Sequence, residues 1–211
     1  MLFTQEHNEL RRTVKNFVEN EINPYCDEWE QAGTFPMREL FKKMGDLGLL
    51  GISKPEKYGG MGLDYSYNIV AAEALGAAHC GGVPLAIGVQ TDMATPALAR
   101  FGSAELRDEF LTPAIAGEYV ASIAVSEVHA GSDVAAIKTT AKKDGDDYVL
   151  NGQKWWATGA GDPRCAVHIV MVRTRFGGPK HQQHSMIVVP ADTPGIKKLR
   201  AMEVYGHGGG S

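Results

Sequence analysis

The first 116 residues carry apolar positions at helical spacing. Leu10, Val14, Phe17, Val18 and Ile22 fall on one helix face. Thr4 is placed to cap that helix, and Pro24 to end it or lie just beyond its end. A second stripe, Met37, Leu40, Phe41, Met44 and Leu47, follows Pro36, and Gly48 can close it in a left-handed conformation. Residues 51–64 read as a loop. Gly59, Gly60 and Gly62 do not complete GxGxxG, and no strand-to-helix context surrounds them. Asp64 caps a third helix with Ile69, Val70, Ala72 and Leu75 available for packing. A fourth helical region runs from Val83 to Phe101, with Pro96 expected to kink or break it, and Ser103 caps a fifth through Leu106, Phe110 and Leu111, whose end Pro113 constrains. Five helices with short connections make a bundle. Its Met and Phe stripes are core positions.

The pattern changes at Gly117. Val120–Val125 favours a strand, and Lys138–Lys142 is β-prone. Asp144-Gly145 and Asn151-Gly152 are hairpin signals that make Lys154–Ala157 the third strand of a meander. Ala166–Arg173 and Met186–Val189 are further strands, separated by a loop and followed by a turn at residues 192–195. Such a sheet must close or pack on something. The expected fold class is therefore α+β, an N-terminal α-helical bundle (1–116) followed by an incomplete antiparallel β-barrel domain (117–211). Residues 206–211 read as a flexible ending.

Composition narrows the function classes. The chain has 211 residues and a formal net charge of −4, which argues against a nucleic-acid binder. Cys26, Cys80 and Cys165 are widely spaced and odd in number, as expected of buried reduced thiols. No run approaches a membrane span, and the start lacks a leader. The expected location is an intracellular compartment.

The chemistry gathers between Ser126 and Thr158. The loop Ser126-Glu127-Val128-His129-Ala130-Gly131-Ser132-Asp133 follows a strand and offers hydroxyls and backbone N–H groups, with Gly131 allowing close approach. Further on, Trp156 offers a flat face and Thr158 a donor. Two readings stay open on the residues alone: a site for a planar ring with a pyrophosphate tail, or a loop with ordinary caps and a core tryptophan. Gln90, Thr91 and Thr95 interrupt an apolar segment; they face solvent, bond within the helix, or line a pocket. His129 reads as a solvent-facing or spacing residue. His181 and His184 lack a third ligand, so no metal site is expected.

The segments SEVHAGSDVAAIKTTA (Ser126–Ala141) and DGDDYVLNGQKWWATG (Asp144–Gly159) resemble the flavin-binding middle domain of acyl-CoA dehydrogenases, whose pattern is [T/S]EPxAGSD followed by NGxKxWxT. GLLGISKPEKYGGMGLDY (Gly48–Tyr65), GVQTDMATPALARFGSAELRDEFLTPAIAGE (Gly88–Glu118) and VVPADTPGI (Val188–Ile196) extend the resemblance over nearly the whole chain. Two departures stand in the loop: Val128 replaces the usual proline, and His129 a small residue.

The resemblance implies FAD held by Ile123, Val125, Ser126, Gly131, Ser132, Trp156, Ala157 and Thr158. It puts Ser132, Gln90 and Thr91 on the substrate side. It implies α,β-dehydrogenation of an acyl-CoA to a trans-2-enoyl-CoA in fatty-acid β-oxidation, with electrons passed to an electron-transfer flavoprotein. The intact protein would be a homotetramer or dimer. The sequence covers about half of a family subunit, so the catalytic base is expected in a C-terminal helical part outside it. No catalytic residue is assigned here; Glu73 and Glu127 do not take that role. The chain then reads as a fragment or truncated form, inactive alone. Two alternatives remain: a non-catalytic homologue that binds acyl-CoA or a partner subunit, and a reduced-flavin monooxygenase of the same fold.

Overall fold

The computed structural model describes residues 3–204 and 207–208. Its helices are α1 (Gln5–Phe17), α2 (Cys26–Ala32), α3 (Met37–Asp46), α4 (Tyr65–Leu75), α5 (Gly82–Gly88), α6 (Thr95–Phe101), α7 (Ala104–Leu106) and α8 (Thr112–Ile115). The strands are β1 (Val120–Ala124), β2 (Thr140–Asp144), β3 (Asp147–Asn151), β4 (Cys165–Arg173), β5 (His184–Pro190), β6 (Glu203–Val204) and β7 (His207–Gly208).

The helices are more numerous than the hydrophobic stripes imply, and the prolines explain why. Pro24, Pro96 and Pro113 do not end their helical paths. Each lies two residues beyond a widened π-helical turn, at Val18–Ile22, Val89–Ala94 and Arg107–Leu111. A proline lacks the N–H of an ordinary turn, and its ring crowds the carbonyl four residues back. A wider turn just upstream relieves both conflicts, so the chain continues into a new helical segment.

Local chemistry sets the other boundaries as the sequence implies. Thr4 precedes α1, and its backbone N–H donates to Nδ1 of His7 at 3.1 Å. Asp64 caps α4 by accepting from the Ser66 amide at 2.8 Å. Gly48 closes the end of α3 with φ of 74°. His7 then joins α1 to α4: it is buried, its Nε2 lies 2.7 Å from Ser66 Oγ, and its ring stacks on Tyr67. On α4, Ile69 and Ala72 turn to solvent, while Val70, Ala71 and Ala74 pack inward. The helix is apolar nearly all round, so its sequence does not say which face is covered.

The sheet departs from the expected antiparallel barrel. It is mixed and open. β1 runs parallel to β4, β5 runs antiparallel to β4, and the β2–β3 hairpin joins through a single parallel pair, Thr140 with Arg173. The first hairpin signal is used, with Gly145 at φ 61° in the turn. The second is not. At Gly152 the chain passes over Thr139 so closely that a Cβ would stand 2.3 Å from the Thr139 Oγ1. Residues 152–157 therefore leave the ladder, and no third meander strand forms. In the expected tail, residues 207–208 pair with 203–204, while residues 206 and 209–211 lie outside the described residues.

Helices and sheet share a core. Val89, Ala94 and Leu98 of the fourth helical path pack with Phe110, Leu111 and Ile115 against Ala121, Val167 and Ile169 of the sheet. A larger cluster within the helices includes Val14, Phe17, Ile22, Phe41, Met44 and Ile87, and it reaches Val120.

Candidate functional site

β1 delivers the chain to the candidate loop. Val125 and Ser126 leave the sheet half-buried, and a tight reversal follows. The Glu127 amide donates to the Ala130 carbonyl at 2.9 Å, and the Ala130 amide returns to Glu127 at 3.0 Å. Val128 and His129 project from the tip. Gly131 and Ser132 are exposed, and no atom lies within 4 Å of where a Gly131 Cβ would stand.

The second loop meets the first directly. The Trp155 amide donates to the Ser126 carbonyl at 3.1 Å. Trp156 follows with φ of 54°, the one non-glycine among the described residues in the left-handed region. That conformation costs roughly 1–2 kcal/mol for an L-residue. Strain of this kind persists only where its surroundings over-determine it. The indole it presents is 48% exposed, and Ala157 and Thr158 are half-buried beside it. Beyond them Asp162 pins the return to β4, accepting from the Arg164 amide and Nε, each at 2.7 Å. Burial alone would raise the Asp162 carboxyl; Arg164 outweighs it and holds the group low.

The hydroxyls of Ser126, Ser132 and Thr158 have no partner among the described residues. Those of Thr91, Thr95 and Ser122 are all engaged. Free hydroxyls, an open glycine and a half-exposed indole on two touching loops fit a planar, polar-edged ring. The Thr91 hydroxyl is spent on the Ile87 carbonyl and Asp92, and this residue lines a cavity of about 170 Å³ within the helical layer. The same cavity is lined by Lys54, whose buried ammonium donates to the Thr91 carbonyl at 2.6 Å. Gln90 is 1% exposed, and its amide donates to the Ala114 and Tyr119 carbonyls and accepts from the Ala121 amide. Ser126 lies roughly 16 Å further along the extended chain from Ala121. Ile123 is half-buried and packs at the shared core.

Glu127 and Lys154 are the residues whose importance composition and periodicity do not reveal. The Glu127 side chain is 3% exposed and accepts from the Lys138 amide at 2.7 Å, the Thr139 amide at 2.9 Å and Lys154 Nζ at 2.8 Å. His129 Nε2 stands 3.4 Å away. Burial would raise this carboxyl, but the donors together outweigh it and bring it to about 2. Burial holds the Lys154 ammonium below its ordinary value, against the pull of Glu127. A carboxyl depressed in the fold stabilises it fully above its unfolded value near 4.3 and loses that contribution as pH falls toward 2. Urea midpoints should therefore show Glu127→Gln well below the unsubstituted protein at pH 6, with the gap closing as pH falls from about 4 toward 2. A gap that stays constant over that range would refute the assignment.

Among the described residues no helix is long and apolar enough to cross a membrane, and no cluster of three or more His, Cys, Asp or Glu is placed to hold a metal. The three cysteines are free and buried, with burial pushing the Cys80 thiol up to about 12.

The sequence profile of the acyl-CoA dehydrogenase N-terminal domain matches residues 4–118, and that of the middle domain matches residues 122–211. The chain belongs to the acyl-CoA dehydrogenase family. It is 39% identical over 195 residues to the probable acyl-CoA dehydrogenase YngJ of Bacillus subtilis, covering 92% of this chain and 50% of that protein. The crystal structure of an acyl-CoA dehydrogenase from Geobacillus kaustophilus superposes with a TM-score of 0.86 at 36% identity, covering 96% of this chain and 52% of that one. An acyl-CoA dehydrogenase from Bacillus anthracis, solved in complex with FAD, superposes at 0.84 with 31% identity, covering 96% and 33%. The chain spans about half the length of the curated relatives it matches.

Proposed function

We propose that this chain forms the flavin- and thioester-positioning part of an FAD-dependent acyl-CoA dehydrogenase. The reaction would convert an acyl-CoA to a trans-2-enoyl-CoA, within fatty-acid β-oxidation, with electrons leaving to an electron-transfer flavoprotein. The observation that carries the reading is the junction of the two loops, which gathers free hydroxyls and a half-exposed indole around an open glycine. Family membership and the FAD-bound relative support it.

When bound, FAD supplies the hydride acceptor for the substrate's β-carbon. Ser126 would offer its hydroxyl to the ring's polar edge and Thr158 its hydroxyl near the redox-active edge, with the Trp156 indole against the ring. Gly131 and Ser132 serve the pyrophosphate, with Ser132 also on the pantetheine side. Ile123, Val125 and Ala157 supply apolar or backbone wall. Thr91 and Gln90 border the acyl chain; the polar atoms of Gln90 are already engaged by backbone, so it contributes shape. Water exclusion at the ring falls to Trp156. The assembly is proposed as a homotetramer or dimer, in a bacterial cytoplasm or mitochondrial matrix.

Neither acidic candidate can take the α-proton. Glu73 pairs with Arg11 on the surface at 3.0 Å, and Glu127 is buried and saturated. The purified 211-residue chain should therefore bind added FAD, with a perturbed flavin absorbance, yet reduce no dye when given acyl-CoA. A chain that leaves FAD unbound would sink the cofactor reading. Turnover would sink the statement that these residues include no base.

A further inference from the structure

We propose that Glu127 and Lys154 form a buried latch that locks the two loops together and thereby sets the affinity of the site for flavin. The inference rests on the FAD reading above. Both are positioning residues: their polar atoms are engaged with each other and with backbone groups of the loops.

The pair joins the two segments whose relative position sets the shape of the site. Glu127 lies in the first loop and Lys154 at the root of the second. Lys154 Nζ donates to Glu127 and also to the Val125 carbonyl, each at 2.8 Å, so it holds the first loop at two points. Glu127 in turn accepts from the Lys138 and Thr139 amides, which fixes both to the start of β2. The neighbouring joint, Trp155 amide to Ser126 carbonyl, lies one residue after Lys154 and one residue before Glu127. Their side chains are 3% and 10% exposed.

The strained Trp156 backbone shows why such a latch is needed. Residues 152–157 have no ladder, so nothing in the sheet holds this segment. The chain is gripped at Lys154 and Trp155, and Trp156 turns left-handed immediately afterwards. Without the grip, Trp156 relaxes toward extended backbone, and the indole leaves the position that faces the ring. Removing one partner of a buried ion pair leaves the other charged and uncompensated, so each single loss should act strongly.

The test is a double-substitution cycle with Glu127→Gln and Lys154→Met, with Lys154→Arg as the conservative variant. Two readouts are taken under conditions where far-UV circular dichroism is unchanged: FAD dissociation constants, and acrylamide quenching of tryptophan without flavin. Each single variant should weaken FAD at least about 10-fold and raise quenching. The double variant should lose less than the product of the singles, and Lys154→Arg should recover most of the affinity. Lower urea midpoints with unchanged FAD affinity and unchanged quenching would overturn the latch. If the unsubstituted chain binds no FAD, the cofactor reading fails by itself, and the quenching cycle still decides whether the pair positions Trp156. Should the variants not fold, hydrogen exchange in the unsubstituted chain decides: the Lys138, Thr139 and Trp155 amides should open as one unit, and independent opening overturns the proposal.

Discussion

Gly117→Ala should destabilise the protein by roughly 2–5 kcal/mol, overpacking added to the left-handed penalty, a large fraction of a typical domain's stability. Gly117 sits between α8 and β1 with φ of 76°. An added Cβ would stand 2.0 Å from the Phe41 carbonyl oxygen and 2.7 Å from the Lys42 nitrogen. Those are backbone atoms of α3, so no side-chain rotation relieves the clash. The approach is reciprocal: a Cβ on Gly45 would stand 2.4 Å from the Ala116 carbonyl oxygen. The crossing from helices to sheet is thus threaded past α3 with a glycine on each segment set close against the other's backbone. Gly33→Ala is the control. Its φ is 67°, but nothing lies within 4 Å of the added carbon. It should cost only the left-handed penalty, about 1–2 kcal/mol. Urea unfolding of both variants separates strain from clash, and similar losses would show that the close approach carries no weight.

This crossing marks where the sequence is informative and where it stops. Gly117 announces a break in pattern, and the strand after it follows from Val120–Ala124. The identity of the surface that the break presses against, α3, is a tertiary fact that no local pattern contains. The prolines show the same limit from another side. Pro24, Pro96 and Pro113 carry a true local signal, a missing N–H, but a helix can answer it by stopping or by widening, and packing decides which. In the sheet, Asn151-Gly152 has the composition of a hairpin turn, yet the contact with Thr139 carries the chain elsewhere. Strand order is equally nonlocal: β1 pairs in parallel with β4 across an intervening hairpin, so adjacent hairpin signals led toward an antiparallel barrel.

The candidate site was legible in part. Its hydroxyls, glycine and tryptophan stand in a recognisable motif because each is near others in sequence. Glu127 and Lys154 stand in the same motif, but their partnership spans 27 residues and is visible only when the loops are brought together. Gln90 is further from reach still. A glutamine in an apolar helix can face water, bond its own helix or line a cavity; it instead crosses to a strand that begins thirty residues later.

That crossing gives the second large effect. Gln90→Met keeps the length of the side chain and removes its polar atoms, and it should cost roughly 2–4 kcal/mol. The reason begins in β1. Val120 pairs with Cys165 but Ala121 pairs with Val167, so the ladder skips a residue there. The irregularity leaves the buried Ala121 amide to donate to Gln90 Oε1 at 2.9 Å. On its other side the Gln90 amide nitrogen donates to the Ala114 carbonyl at 3.1 Å and the Tyr119 carbonyl at 2.8 Å. One side chain therefore satisfies backbone at the end of α8, in the crossing and in the irregular strand. Methionine fills the space but leaves the Ala121 amide buried without an acceptor, and water has little access to a position 1% exposed. The Ala114 carbonyl is the least affected, since it also accepts from the Gly117 amide at 3.3 Å. Two measurements check the account together: the urea midpoint, which should fall, and native-state hydrogen exchange at Ala121, which should accelerate more than at Ile123 on the same strand. A fall in stability with Ala121 still protected to the same degree would mean that lost packing, not the orphaned amide, is the cause.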